Sequence, residues 1–405
     1  MVTLKMRKVR GMEQVSVRNR IFEYTCYMFM LLFGVQLAGY QYSLIYIMQE
    51  FSLNNTTLGL LSSMQFLPNL IVPLLCGGLV DRYNKRWIAV GCAATYAVGC
   101  ACVFCSASMG MLVAGIGILA CGSAMAPAVL TTLLAEMDPA NSNRYANMVE
   151  VFYSLGNVVA PVGLAWLIGQ GMPWRGLYAI VTVGSLAVAI ALSCMHPRLK
   201  IELTQAAQEP TEKFRLNLMA LMLIAFAMLY NFVEPGFMTF ASTYFTEAAG
   251  DAWGASISIS LTGLMMVVSR MIAIRLRCAK EKMIMTGVLG AGVAGLLMAF
   301  LPVKGISVLW CVLFGFVAGP CWPMMMSVAI DCFPNSSGRM TTLIMVGGGI
   351  GGLLVSPLMG MVSDMAGIAL SYLVVTLAAL LGATTIWVLY RHRKRRGELP
   401  EKQSL

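Results

Sequence analysis

The chain has 405 residues, 59% of them hydrophobic and 11% charged, with a net charge of +10 and a mean hydropathy of +0.77. A water-soluble domain carries about 25% charged residues, so a soluble globular protein, a disordered chain and a disulfide-stapled secreted module are all excluded. The useful unit of length is then about 20 apolar residues per bilayer crossing.

Charged residues punctuate the chain and leave uncharged runs between them. Tyr24–Gln49 and Phe51–Val80 come first. Trp87–Ala135 is long enough for two crossings, with a small-residue break at Ser106–Gly110. Val151–Trp174 and Gly176–Pro197 complete the first half. The second half runs Leu216–Val233, Ala252–Ser269, Met283–Val303, Gly305–Ile330, Met340–Ser363 and Met365–Tyr390. Each run is long and apolar enough to span. Twelve transmembrane helices are predicted near 21–48, 57–80, 87–105, 109–137, 143–170, 174–195, 215–246, 254–276, 283–301, 305–331, 338–364 and 368–391. A β-barrel would need alternating segments of about 10 residues, which these runs are not. The fold class expected is an all-α integral membrane protein.

The basic residues give the orientation. With both termini inside, 26 of the 28 Lys and Arg fall on the inner side, and only Arg175 and Lys304 fall outside. The positive-inside rule therefore puts both termini in the cytoplasm. Nucleic acid is not the expected partner of this charge; the bilayer is. The first apolar run is too long for the core of a cleavable signal. The twelve cysteines lie mostly inside spans and are read as packing residues. With only His196 and His392, no metal cluster or cofactor site is expected.

The two halves resemble each other at an offset of about 195 residues. Gly59, Lys85, Glu136, Pro139, Arg144 and Gly156 correspond to Gly254, Lys280, Asp331, Pro334, Arg339 and Gly351. A six-helix unit thus occurs twice in the same orientation, a device of transporters. The predicted organisation is a basic cytoplasmic segment (1–20), a first six-helix bundle (21–196), a cytoplasmic linker (197–214), a second bundle (215–391) and a basic tail (392–405).

After span 2 the chain reads Gly77-Gly78-Leu79-Val80-Asp81-Arg82-Tyr83-Asn84-Lys85-Arg86. This resembles the signature loop of the major facilitator superfamily, with Asn84 in place of the usual glycine. Trp174-Arg175-Gly176 resembles the start of span 6 in that superfamily. The resemblance covers essentially the whole chain and implies the 6+6 major facilitator fold and transport by alternating access. The second-half counterpart of the loop, from Arg270 through Arg275, Arg277, Lys280 and Lys282, lacks the aspartate, so an asymmetric gate is expected. In span 7, Tyr230-Asn231-Phe232-Val233-Glu234-Pro235 followed by Tyr244 resembles the fucose-permease-like branch, which moves sugar-like solutes with protons.

Glu234 is the first candidate for substrate and proton coupling. An acid within a span costs at least about 2.5 kcal/mol, so it must face a cavity or carry a proton. Pro235 leaves the carbonyl of Asn231 without its helical donor. The alternative is a solvated or paired glutamate at the outer end of span 7. Glu150 is the second candidate, with a structural salt bridge as the favoured reading. Arg270 reads either as a carboxylate-binding fork or, the favoured reading, as part of the cytoplasmic charge cluster. Asp81, Arg82, Arg86, Glu136, Arg144, Arg270, Asp331 and Arg339 make up the expected cytoplasmic gate. In the superfamily, acids and arginines at the inner helix ends lock the bundles in one state. Gly156-Asn157-Val158-Val159-Ala160-Pro161-Val162-Gly163 resembles the signature of drug/proton antiporters, with helix packing as the default reading. Tyr230, Asn231, Asn157, Gln36, Tyr40 and Trp322 are expected cavity liners.

The leading expectation is proton-coupled symport of a small polar solute by a monomer in the cell membrane. Proton-driven efflux of hydrophobic compounds and organic-anion transport are the alternatives. No nucleotide loop, metal cluster or nucleophile–base pair points to an enzyme.

Overall fold

The computed structural model describes the backbone of residues 2–72, 75, 83–137, 142–195, 216–273, 275, 279–333 and 337–396. Within these, side chains are described from residue 19 onward, except 135, 142–144, 146, 147 and 337–339. The predicted linker 197–214, the side chains of Asp81, Arg82, Arg144 and Arg339, and most of the tail lie outside the described residues.

The described residues are helical, with no strand among them. Eleven helical segments are long and apolar enough to cross a membrane, at 19–51, 85–104, 109–134, 148–169, 176–194, 218–239, 252–273, 280–300, 307–332, 340–366 and 368–395. They match eleven of the twelve predicted spans in order. The remaining one, span 2, is described as the helix Asn55–Ser63. It continues beyond a turn at Met64–Gln65. Span 1 belongs to a helix that reaches back to Val2, through the segment expected only to be basic and cytoplasmic.

Polar residues cap several of these helices. Asn54, Ser108 and Asn217 each accept the third backbone N–H of the helix they precede, satisfying donors the helix leaves open. Asn84 also caps: its side chain accepts from the N–H of Arg86, with φ at −64°. The residue that stands in place of the usual glycine is therefore the start signal of span 3.

Three spans expected to be continuous are interrupted. Span 4 is two helices, Met109–Ser123 and Ala126–Met137. Span 10 is Ser307–Ala318 and Cys321–Cys332. The two breaks fall at corresponding places in the repeat. Proline is the cause at both: Pro127 has no N–H for the carbonyl of Ser123, and Pro323 none for that of Gly319. Span 7 is Leu218–Thr239 followed by Ala241–Glu247.

The chain divides into two compact units. The first holds Met1–Gln36, Ile71–Gly156 and Arg175–Gln208; the second holds Leu37–Leu70, Asn157–Trp174 and Glu209–Leu405. Within each, helices approach through small residues, the membrane substitute for hydrophobic association. Gly156 in span 5 sits where a Cβ would collide with the Leu31 carbonyl of span 1. Its counterpart Gly351 in span 11 sits likewise against the Met228 carbonyl of span 7.

Candidate functional site

The second unit holds the polar cluster of greatest interest, built from spans 7, 8, 10 and 11. Tyr230 is buried on span 7 and stacks on Trp322 of span 10, ring centroids 6.1 Å apart. Its hydroxyl donates to the Ala318 carbonyl at 2.8 Å, at the break in span 10. Glu234 lies one turn further along span 7. Arg270 of span 8 donates its Nε to the Gly319 carbonyl at 2.9 Å, and it shares an electrostatic neighbourhood with Tyr230 and Cys321. Asn231 donates to the Ala227 carbonyl of its own helix and packs on Gly348 of span 11, where a Cβ would come within 2.8 Å of its amide nitrogen.

Tyr230, Asn231 and Trp322 lie together, with Glu234 one turn along span 7 and Arg270 bonded to the Gly319 carbonyl at the break in span 10. Gly319, which it holds, precedes Asp331 by about 18 Å of helix. The arrangement presents a carboxyl group, a guanidinium cation, an amide, a phenol and an indole face among the helices of the second unit. Such groups are able to bind a polar solute and to exchange a proton.

The other expected liners lie elsewhere. Gln36 is fully buried in the first unit and accepts a hydrogen bond from Tyr96 at 3.2 Å, while its amide nitrogen has no hydrogen-bond partner among the described residues. Tyr40 is buried in the second unit, beside Ser62 and Gln65. The side-chain oxygen of Asn157 is buried without a hydrogen-bond partner among the described residues, close to Gly263 of span 8. Glu150 is exposed on span 5. Tyr244 is buried near Ser307 and Tyr372, away from Glu234.

Among the expected gate residues, Glu136 pairs with Lys85, and Asp331 pairs with Lys280 at 2.6 Å. These pairs occupy corresponding places in the two repeats. Arg86 donates to the carbonyls of Ser193 and Met195 at the end of span 6. A cation at a helix C-terminus is favourably placed.

Three features carried no sequence expectation. Arg393 of span 12 and Glu281 of span 9 form a buried ion pair, with side chains 7% and 2% exposed. Asp251 caps span 8, accepting from the N–H groups of Gly254 at 3.0 Å and Gly305 at 2.9 Å. The bond from Gly254, with those from Gly305 and Trp253 and the nearby Lys304, holds its carboxyl below the usual range against the opposing effect of burial. Asp364 of span 11 clasps the start of span 2. It accepts from the N–H groups of Asn55 and Thr56, both at 2.9 Å, and from the Thr56 hydroxyl. Glu247 lies beside this clasp; burial pushes its carboxyl above the usual range, Asp364 adds to the effect, and a hydrogen bond with Asn55 opposes it.

A family model described as Major Facilitator Superfamily matches residues 25–336 and 277–404. Solved structures share the fold. One is a bacterial homologue of the human lysosomal transporter Spinster, at a TM-score of 0.76 and 15% identity, covering 91% of this chain and 96% of that one. Another is a D-xylose–proton symporter, at 0.75 and 18%, covering 91% and 97%. A third is the E. coli fucose:proton symporter, at 0.61 and 18%, covering 91% and 98%. No curated protein sequence matches the chain.

Proposed function

The chain belongs to the major facilitator superfamily, and from that premise we propose that it moves a small polar solute across the cell membrane by alternating access, coupled to protons through Glu234. It is an integral multi-pass membrane protein and a secondary transporter. The observation that carries the finer reading is the placing of Glu234 one helical turn from Tyr230, which stacks on Trp322 and bonds the Ala318 carbonyl beside the one that Arg270 holds. An intramembrane acid beside hydrogen-bonding groups is suited to alternate between neutral and ionised forms, since desolvation disfavours the charge and polar neighbours stabilise it. Sugar and proton are the cargo that the printed names of two structural neighbours give those proteins, in keeping with the span-7 resemblance. In this reading the protein acts as a monomer with both termini cytoplasmic. Asp81, Arg82, Arg86, Glu136, Arg144, Asp331 and Arg339 serve the inner gate.

A second reading, organic-anion transport, is favoured by the place of Arg270 at the break in span 10. A planar guanidinium among polar groups matches a carboxylate.

Counterflow in proteoliposomes against a panel of sugars, carboxylates and cationic drugs identifies the cargo. With that cargo, Glu234→Gln keeps the side chain's shape but cannot ionise. The variant is expected to lose accumulation driven by a pH gradient and to keep energy-independent exchange. A Gln variant that still concentrates the solute with an unchanged pH profile overturns the coupling assignment.

A further inference from the structure

We propose that the end of span 12 is a binding site for an anionic phospholipid, with the acyl chains along an apolar stripe of the helix and the phosphate held by Arg391, Lys394 and Arg395. The inference is independent of the cargo and of Glu234.

Span 12 is one helix from Ile368 to Arg395. Leu377, Leu380 and Leu381 are exposed on it, and Trp387 and Val388 are exposed nearer its end. Spacings of three and four residues put these side chains on one face. The same spacing carried on from Trp387 reaches Arg391, Lys394 and Arg395, all exposed. From Leu381 to Arg391 the helix rises about 15 Å, which matches the hydrocarbon depth of one leaflet. A lipid lying along this face reaches the cations with its headgroup while its chains cover the leucines.

The cations are held in place. The Arg391 guanidinium lies 4.0 Å over the Trp387 ring, a cation–π contact that keeps it beside the indole. Lys282 of span 9 lies 5.9 Å over the Tyr390 ring and adds a charge from the neighbouring helix. Arg393 lies off this face and is buried against Glu281 of span 9, which ties the last turn of span 12 to its bundle. None of Arg391, Lys394 and Arg395 has an acidic partner among the described residues. Orienting charge and the helix dipole account for cations at a helix C-terminus. They do not require those cations to continue an apolar stripe. A phospholipid does, because its phosphate stands at the head of its own chains. An anionic headgroup is favoured over a zwitterionic one, since each Lys or Arg near a negative membrane surface adds to the attraction. A second copy of this chain would set these cations against their like.

The test uses the full chain in phosphatidylcholine nanodiscs doped with brominated phosphatidylglycerol or, at equal mole fraction, brominated phosphatidylcholine. Trp387 is read as the fluorescence that Trp387→Phe removes. Half-maximal quenching in the wild type should need about fivefold less of the anionic lipid. Arg391→Gln should abolish most of that preference. So should Lys394→Gln combined with Arg395→Gln, which leaves the Arg391–Trp387 contact in place. Arg20→Gln removes one positive charge from the exposed start of span 1 and should leave the preference unchanged. Equal quenching by the two lipids in the wild type overturns the site. A preference that Arg20→Gln lowers as much as Arg391→Gln does is diffuse attraction and also overturns it. A preference that inorganic phosphate removes at constant ionic strength belongs to a free-phosphate site, and the lipid assignment is then wrong.

Discussion

The two halves solve the same joint with opposite charges. Where span 3 meets span 6, Arg86 donates to the terminal carbonyls of the neighbouring helix. Where span 9 meets span 12, the position corresponding to Arg86 is Glu281, and it takes Arg393 from the neighbour. Beside each joint the same Lys–acid pair recurs, Lys85–Glu136 and Lys280–Asp331. The interiors diverge further. Tyr230, Glu234 and Arg270 stand where the first half has Val35, Gly39 and Leu75, while Asn231 stands opposite Gln36. The comparison teaches that the repeat conserves scaffolding contacts and concentrates ionisable chemistry in the second half.

The largest expected effect separates the two joints. Glu281→Ala takes the carboxylate from the buried Arg393 cation, at a cost of about 3–5 kcal/mol. Arg86→Ala removes the charge itself and should cost about 1.5–3 kcal/mol. Replacing both Glu281 and Arg393 with Met should be close to neutral or stabilising. Thermal unfolding of the purified protein gives the order, and equal losses at the two joints would break the comparison.

A smaller effect should be equal in the two halves. Gly156→Ala and Gly351→Ala each push a methyl into a facing carbonyl and should cost about 1–3 kcal/mol. A tolerant Gly156 with an intolerant Gly351, read by the same melts, would show that the scaffold is not shared. Smaller again, Asp251→Ala removes the cap of span 8 and should cost about 1 kcal/mol. Because that carboxyl is held below its ordinary range, its contribution is full above the unfolded pKa of about 3.9 and is lost as the pH falls through the folded value.

The smallest effect is a pH dependence of opposite sign. Glu247 is raised by burial and by Asp364, so the folded chain holds its proton more tightly than the unfolded one does. Its contribution is most favourable below the unfolded pKa of about 4.3 and is lost as the pH rises through the folded value. Glu247→Gln should flatten the melting temperature against pH on that side. A variant curve parallel to wild type would remove Glu247 from the account.

Much of this was legible because charge is costly in a membrane chain and stands out. Glu136 and Asp331 stood out at matched positions in the repeat, though not as partners of Lys85 and Lys280, and Glu234 stood out as the acid that ends an uncharged run. The bond from Arg270 to the Gly319 carbonyl was not legible, because the acceptor is a backbone group that Pro323 frees on another helix. Asp364 was passed over because its partners are backbone N–H groups 308 and 309 residues away. Backbone donors carry no residue-type signature. Arg393 was counted as one more orienting charge of the tail, since nothing local marks Glu281 as its partner.

The start of span 2 meets span 11 largely through main chain. Besides the Asp364 bonds, Gly59 lies against the Ser356 carbonyl and Gly360 against that of Asn55, with no room for a Cβ at either. Surfaces of this kind have no interlocked rotamers to reset when they part. The seam is held by close backbone approach along its length and, at its end, by the hydrogen bonds of a single exposed carboxylate, so its strength is concentrated in one side chain.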